Sequence, residues 1–214
     1  MRALAVVMLL TSTAAHAGDA NEVGYMGFGR AMRTASADAV TPDEIAGVTL
    51  TYARALGIDV ADGLAVWADA RMEIGNAGGE MFQSMDTKLG SVMWMVGARA
   101  RYMLHSHVAV GARFDVGVHR TELELTDGDT KLSDSGWGMA ATGAAGVDLY
   151  AYTSPRFAIG LRFEVAYTKT QAVGLTMHRE GDDDGTIKLP VMDTAFGHLD
   201  TSGPSFTGGL IGRF

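Results

Sequence analysis

A strict alternation of side chains between residues 157 and 167 constrains the fold of this sequence more than any other feature. The odd positions are all large and apolar: Phe157, Ile159, Leu161, Phe163, Val165 and Tyr167. The even positions are small or charged, and Arg162 and Glu164 stand among glycine and alanine. Because successive side chains of a strand point to opposite faces, the stretch is predicted to be a β-strand. One face suits hydrocarbon, and the other is narrow and charged.

Seven further stretches have strand character, although the first has no consistently apolar face. The eight predicted strands cover residues 23–33, 45–56, 64–75, 90–104, 108–125, 136–152, 156–177 and 203–214. Their connections alternate between long and short, as in membrane barrels that have short turns at one end and longer loops at the other. The sequence therefore predicts an all-β, antiparallel, up-and-down transmembrane β-barrel of about eight strands.

The spacing of aromatic residues agrees with a membrane span. Trp94 and Tyr167 are predicted at the long-loop end, and Tyr102 and Phe157 at the short-turn end. Eight to ten residues of a tilted strand rise roughly 20–26 Å along the membrane normal, close to the apolar band of about 25 Å between the aromatic girdles of such barrels.

The predicted inner face carries charges of both signs. The positive residues are Arg71, Arg99, Arg101, Arg113, Arg162 and Arg213, and the negative ones are Asp69, Glu73, Asp115, Asp148 and Glu164. Charges enclosed in a narrow barrel must be paired or hydrated, and a barrel of about eight strands is just wide enough to be filled by side chains. We expect a luminal ion-pair network that largely closes the barrel.

The N-terminal segment predicts secretion. Arg2 is followed by apolar residues 3–10 and by Ala15-His16-Ala17, the pattern of a signal peptide with its cleavage site. We therefore assign residues 1–17 to a secretory signal peptide and 18–214 to the barrel. The net charge of −8 argues against a nucleic-acid partner, and with no cysteine the chain has no disulfides.

The signal peptide, the alternating strands and the ending Leu210-Ile211-Gly212-Arg213-Phe214 resemble the small outer-membrane β-barrel proteins of Gram-negative bacteria, the OmpA-, OmpX- and OmpW-like group. The resemblance implies a location in the cell outer membrane. It also implies that Phe214 is part of the signal read by the barrel-assembly machinery. We expect a monomer in contact with outer-membrane lipid and lipopolysaccharide.

Two local motifs are candidate sites. His105-Ser106-His107 falls in a predicted tight turn, where a solvated polar turn outweighs metal binding or acyl chemistry. The acidic segments Asp127-Gly128-Asp129 and Glu180 to Asp184 contain carboxylates that suit Ca²⁺ or Mg²⁺, but neither has the spacing of an EF-hand loop. We therefore predict no catalytic residue, no cofactor and no metal site.

Four functions fit the pattern to different degrees. The leading hypothesis is a non-enzymatic barrel with a structural or surface-interacting role. The alternatives are a narrow, porin-like channel for ions or small solutes, and a lipid A-modifying enzyme, against which stands the absence of a His-x-Ser pair at the long-loop end. The last is a soluble, calycin-like barrel whose apolar face points inward.

Overall fold

The computed structural model describes residues 20–32, 44–61, 63–81, 85–127, 130–154, 156–179 and 194–214. The described chain is all-β, and no helix in it is long and apolar enough to cross a membrane. The strands are β1 Asn21–Arg30, β2 Ile45–Ala61, β3 Leu64–Met81, β4 Met85–His105, β5 Val108–Asp127, β6 Thr130–Thr153, β7 Ala158–Thr170, β8 Val173–Arg179, β9 Thr194–Leu199 and β10 Gly203–Arg213. The predicted signal peptide lies outside the described residues.

Eight of these strands form a closed antiparallel ring. β1 to β7 pair in chain order, β7 pairs with β10, and β10 pairs with β1. At the seam the backbones of Asn21 and Phe214 exchange hydrogen bonds of 2.8 and 2.9 Å. This ring confirms the predicted up-and-down barrel of eight strands.

The two faces of the ring lie as the alternation predicts. On β7, Ile159 and Leu161 are 41% and 43% exposed, whereas Arg162 and Glu164 are 1% and 5% exposed. The apolar side chains therefore point away from the interior. The soluble, calycin-like alternative requires the opposite orientation and is wrong.

The four aromatic residues predicted to mark the membrane surfaces lie on the outside of the barrel. Trp94, Tyr102, Phe157 and Tyr167 are all exposed. At the long-loop end, Trp94 stacks on Trp137 with 5.5 Å between ring centroids and 21° between planes. These side chains have the placement expected of aromatic girdles at the two membrane surfaces.

Two of the predicted long loops are instead mostly strand. β3 and β4 extend to Met81 and Met85, and β5 and β6 extend to Asp127 and Thr130. The sheet thus continues beyond the apolar band, and on β5 the polarity of the faces inverts. Arg120 and Glu122 are exposed on the outer face, whereas Leu123 and Leu125 are buried on the inner face.

The predicted seventh strand is interrupted at residues 171–172. β8 and β9 form a separate antiparallel pair, and β8 also pairs with β6 at its long-loop end. Val173 and Leu175 of β8 and Leu199 of β9 are buried against the inner face of the extended sheet. We call this apolar cluster the cap, and its buried members are Phe28, Met32, Ile45, Ala77, Leu89, Leu123, Leu125, Val173, Leu175 and Leu199. The cap covers the long-loop end of the interior.

Candidate functional site: the charged lumen

The interior of the barrel holds an equal number of buried arginines and acids. Among the described residues the buried arginines are Arg30, Arg71, Arg99, Arg101, Arg113 and Arg162, and the buried acids are Glu22, Asp69, Glu73, Asp115, Asp148 and Glu164. Six positive and six negative formal charges cancel. Since an unpaired buried charge costs several kcal/mol, each side chain needs a partner of opposite sign, and each has one.

Glu22 is the acceptor nearest the short-turn end. Its Oε1 lies 2.7 Å from Nη1 of Arg162 and accepts a hydrogen bond of 2.8 Å from Nη1 of Arg99. Its Oε2 accepts from Nη1 of Arg101 at 3.4 Å. One carboxylate of β1 therefore joins β4 and β7, strands that are not its neighbours in the ring.

Arg162 and Asp148 form the most complete pair. Nε and Nη2 of Arg162 donate to Oδ1 and Oδ2 of Asp148 at 2.6 and 2.7 Å. Such a bidentate arrangement combines strength with a fixed orientation. Asp148 is also 3.5 Å from Nε of Arg101 and accepts a 3.3 Å hydrogen bond from the Tyr150 hydroxyl.

Glu164 and Glu73 form the middle of the network, and Arg71 connects them. Arg71 Nη1 donates to Glu164 at 3.1 Å, and its Nε donates to Glu73 at 2.7 Å. Arg113 Nε donates to Glu164 at 3.2 Å, and Arg30 Nη2 donates to Glu73 at 2.5 Å. Two further close pairs, Arg99 with Asp69 and Arg113 with Asp115, complete the set.

Side chains from β2 and β10 line the same space without charge. Thr49 and Thr207 accept hydrogen bonds of 3.5 and 3.4 Å from Nη2 of Arg71. Six strands supply the ions, and these two supply hydroxyl groups. The network therefore connects all eight strands of the ring.

Aromatic rings close the short-turn end. The Arg101 guanidinium carbon lies 4.9 Å from the ring centroid of Tyr150 and 5.5 Å from that of Trp67, within the range of a cation–π contact. Tyr150 also packs with Ala109, Ala158 and Ile211 in a small apolar cluster. The charged layer thus lies between this cluster and the cap.

Little empty space remains among the charges. The cavity between the arginines and the wall has a volume of about 10 Å³. It is lined by Arg99, Arg101, Gly111, Ala112, Arg113, Ala144, Gly146, Asp148, Arg162 and Glu164. This volume is at the lower limit for one water molecule.

The structure places ten of the eleven predicted luminal residues in this network. Arg213 lies at its edge, where it is half-buried with its guanidinium carbon 5.6 Å from the Tyr150 ring centroid. Sequence reasoning missed Glu22 and Arg30. Both lie on the inner face of β1, where the lipid-facing residues include Gly27 and Gly29, so that no apolar alternation marks the strand.

The other candidate residues that the structure describes lie outside the lumen. His105, Ser106 and His107 are exposed in the turn between β4 and β5. Phe214 is exposed at the seam. Glu180 to Asp184 and the side chains of Asp127 and Asp129 fall outside what the structure describes. In the part that it does describe, no three histidine, aspartate or glutamate side chains are grouped as a metal site would require.

A polar latch joins the cap to the barrel at the long-loop end. Asp200, which follows β9, accepts hydrogen bonds from Lys169 Nζ at 2.8 Å, Thr170 Oγ1 at 3.0 Å and the Ser202 backbone N–H at 2.9 Å. Partial burial raises the pKa of the Asp200 carboxyl, but these donors outweigh it and hold the pKa at about 2. The carboxylate therefore stays ionised through the physiological range.

Comparisons with known proteins agree with this fold. No protein-family profile matches the chain, and no curated protein sequence is significantly similar to it. Among solved structures, a major outer membrane protein from Thermus thermophilus is similar with a TM-score of 0.51 and 14% identity, over 91% of this chain and 99% of that one. The chain has the fold of the outer-membrane β-barrels.

Two further solved structures give TM-scores below 0.5. The attachment invasion locus protein Ail of Yersinia pestis is 14% identical, with a TM-score of 0.47 over 93% of this chain and 100% of that one. Neisserial surface protein A is 11% identical, with a TM-score of 0.46 over 92% of this chain and 96% of that one.

Proposed function

We propose that this chain is an outer-membrane β-barrel protein with a structural or surface-interacting role and a closed, charge-paired lumen. The observation that carries the proposal is the sorting of side chains in the ring. Large apolar residues face outward along the strands of the ring, and twelve paired charges fill the inside. Only a hydrocarbon surrounding makes that orientation stable, because in water the same surface would be a large exposed apolar patch.

The contents of the lumen favour a closed barrel over an open channel. A conducting lumen needs a continuous hydrated path, whereas here the arginines and acids contact one another across the ring. The cap and the Tyr150 cluster cover the two ends of the charged layer. The ion pairs would serve to hold eight strands in register from the inside.

The long-loop end is where a binding role would reside. β3 to β6 continue beyond the apolar band, and the cap gives this extension a core of its own. Such an extension is a rigid base from which the connecting loops can contact other surfaces. In the orientation usual for outer-membrane barrels, this end faces the outside of the cell and the short turns face the periplasm. The outward apolar band would contact outer-membrane lipid and lipopolysaccharide.

Membrane location is tested by expressing the full chain in a Gram-negative host and separating the two membranes on a density gradient. We expect the protein in the outer-membrane fraction, resistant to carbonate extraction, with faster gel migration before heating than after. Recovery in the soluble periplasmic fraction would refute the location. N-terminal sequencing of the recovered protein tests cleavage after Ala17.

Closure of the lumen is tested by conductance in planar bilayers. The purified barrel is expected to give no steady single-channel steps. Steady steps that disappear when Arg162 or Glu164 is replaced would overturn the closed lumen and favour the channel. A lipid A-modifying activity is tested by mass spectrometry of lipid A with and without expression, and we expect identical spectra.

A further inference from the structure

We propose that a groove on the outer face of the extended sheet binds a sugar unit of the lipopolysaccharide that surrounds the barrel. The groove crosses β3, β4 and β5 and has a volume of about 420 Å³. Small-molecule sites have volumes of about 300–1,000 Å³. This binding depends on the outer-membrane location proposed for the chain. The residues that form the groove include Asn76, Gly78, Lys88, Gly90, Glu122 and Glu124.

The groove lies just beyond the lipid-facing part of the wall. Asn76 pairs with Gly90, and Gly90 pairs with Glu122, so these residues form one row across the three strands. Ile74, two positions earlier in β3, is 45% exposed on the same outer face. Two residues of a strand rise about 7 Å, which places the row at the level of the polar head groups. In the outer leaflet of an outer membrane, those head groups are the sugars and phosphates of lipopolysaccharide.

Two glycines of neighbouring strands keep the groove open. The nearest described atom to a Cβ at Gly90 would be the Cβ of Glu122 at 3.7 Å, and to one at Gly78 the carbonyl oxygen of Thr87 at 3.7 Å. These are ordinary contact distances, and neither glycine adopts a left-handed φ. The wall itself therefore does not require glycine at either position. Glycine weakens the interior of a strand and often marks a place where a ligand approaches the backbone.

The side chains around these glycines suit a saccharide better than other ligands. The amide of Asn76 and the ammonium of Lys88 supply donors, and the carboxylates of Glu122 and Glu124 supply acceptors. An apolar ligand would leave these groups unpaired, which costs binding free energy. The two carboxylates that line the groove disfavour a purely anionic ligand. A sugar hydroxyl both donates and accepts hydrogen bonds, so a saccharide can pair with the whole set.

Ion pairs hold the two carboxylates of the groove in place. Glu124 Oε1 is 3.7 Å from Lys88 Nζ, and Glu124 Oε2 is 3.0 Å from Lys131 Nζ. Glu122 Oε2 is 3.8 Å from Arg120 Nη2. Acceptors that are already oriented lose less conformational entropy when a ligand binds. Three cations and two carboxylates give this set a net charge of +1, which suits the phosphates that lipopolysaccharide carries beside its sugars.

Saturation-transfer NMR on the barrel in detergent tests the groove. The probe is the dephosphorylated core oligosaccharide of the host's lipopolysaccharide, and we expect transfer to its sugar protons. Asn76→Ala should weaken binding by about tenfold, because it removes hydrogen bonds to the sugar. Gly90→Gln keeps the polar side chains of the wall but fills the groove, and it should abolish the transfer. Gly174→Gln is the matched control: Gly174 is an exposed glycine of β8, where a Cβ would be 3.8 Å from His198 Nε2.

Photo-crosslinking in intact cells tests the source of the sugar. A benzophenone amino acid at position 88 should form a product with lipopolysaccharide, and Gly90→Gln but not Gly174→Gln should lower its yield. Oligosaccharide binding without this dependence would mean that the groove takes a free saccharide, and equal binding of inorganic phosphate would mean an anion site. Either result overturns the proposal, as does unchanged transfer in Gly90→Gln that is folded by heat-modifiable gel migration.

Failure of this proposal and failure of the membrane location give different results. A barrel that is recovered in the outer membrane but binds no sugar in the groove would refute the saccharide site alone. Recovery in the soluble periplasmic fraction would refute the location, whatever the groove binds in detergent.

Discussion

Replacement of Arg162 by methionine tests whether the luminal charges act as one network. Methionine fills a similar volume with an unbranched side chain, so that the change removes charge more than packing. It breaks the bidentate pair with Asp148 at 2.6 and 2.7 Å and the contact with Glu22 at 2.7 Å. Both acids remain in the interior.

The structure sets the size of the effect. Removal of one partner from a buried ion pair costs about 3–5 kcal/mol. Here Asp148 keeps Arg101 at 3.5 Å, and Glu22 keeps Arg99 at 2.8 Å. The expected loss is therefore near the lower limit, about 3 kcal/mol of the free energy of unfolding. That loss corresponds to roughly a hundredfold change in the unfolding equilibrium constant.

The assay is guanidinium unfolding in detergent micelles, followed by tryptophan fluorescence and by gel migration. Arg120→Met is the matched control, because Arg120 is on the outer face, 45% exposed and 3.8 Å from its acidic neighbour Glu122. It should cost less than about 1 kcal/mol. Combining Arg162→Met with Asp148→Asn should cost about 1–3 kcal/mol less than the sum of the single changes. Equal costs for Arg162→Met and Arg120→Met, or strict additivity, would refute the network.

Three further predictions concern the wall, the cap and the latch. A Cβ at Gly117 would overlap the carbonyl oxygen of Trp94, whereas one at Gly143 meets no atom within 4 Å. Gly117→Ala should therefore destabilise the barrel by about 1–3 kcal/mol in the same unfolding assay. Gly143→Ala is the control and should leave the stability unchanged. Leu199→Ala should cost the cap about 2–5 kcal/mol, seen as faster hydrogen exchange of β8 and β9 amides with unchanged exchange at residues 94–104 of β4, which lie outside the cap. The pKa of the Asp200 carboxyl is about 2, below the ordinary value near 3.9. The ionised carboxylate therefore stabilises the contact between cap and barrel fully above pH 4, and this stabilisation is lost as the pH falls toward 2. Hydrogen exchange at residues 199–202 should therefore be unchanged between pH 7 and 4 after correction for the intrinsic rate, and Asp200→Asn should accelerate it at pH 7.

The faces of the membrane strands could be predicted because one physical condition acts along their whole length. Between lipid and a narrow lumen, every second residue must be apolar, and β7 obeys this rule from Ile159 to Tyr167. Strand number followed from the same pattern together with the turns. The partners within the lumen did not follow, because alternation determines the face of a side chain but not the neighbour that it contacts across the ring.

Glu22 and Arg30 were missed for a related reason. Their strand presents Gly27 and Gly29 to the outside, so the apolar half of the alternation is interrupted there. Two apolar residues, Met26 and Phe28, lie instead at inner positions between the two charges, so hydrophobicity does not distinguish the two faces of this strand. A charge count offers a retrospective clue, since the predicted set had six arginines and five acids and Glu22 brings the buried acids to six.

The cap was missed because the solvent changes along the strand. Beyond the exposed aromatic residues at the long-loop end the barrel is surrounded by water, so apolar side chains are more stable on the inside. On β5 the exposed apolar positions end at Val118, and Leu123 and Leu125 appear at inner positions. In the sequence, the charged residues at positions 120, 122 and 124 were interpreted as the strand leaving the membrane. The structure shows that β5 continues past them as part of the sheet, so they mark the end of the lipid contact and not the end of the strand.

The alternation also decides which changes in chain length the wall can accept. Loss of one residue near the start of β6 would move every later side chain of this strand to the opposite face. Asp148 would then face acyl chains and Leu149 would lie among the arginines. Loss of two adjacent residues would restore the faces and only shorten the rise. Natural insertions and deletions in such a wall should therefore come in even numbers, and odd ones should be confined to the connections between strands.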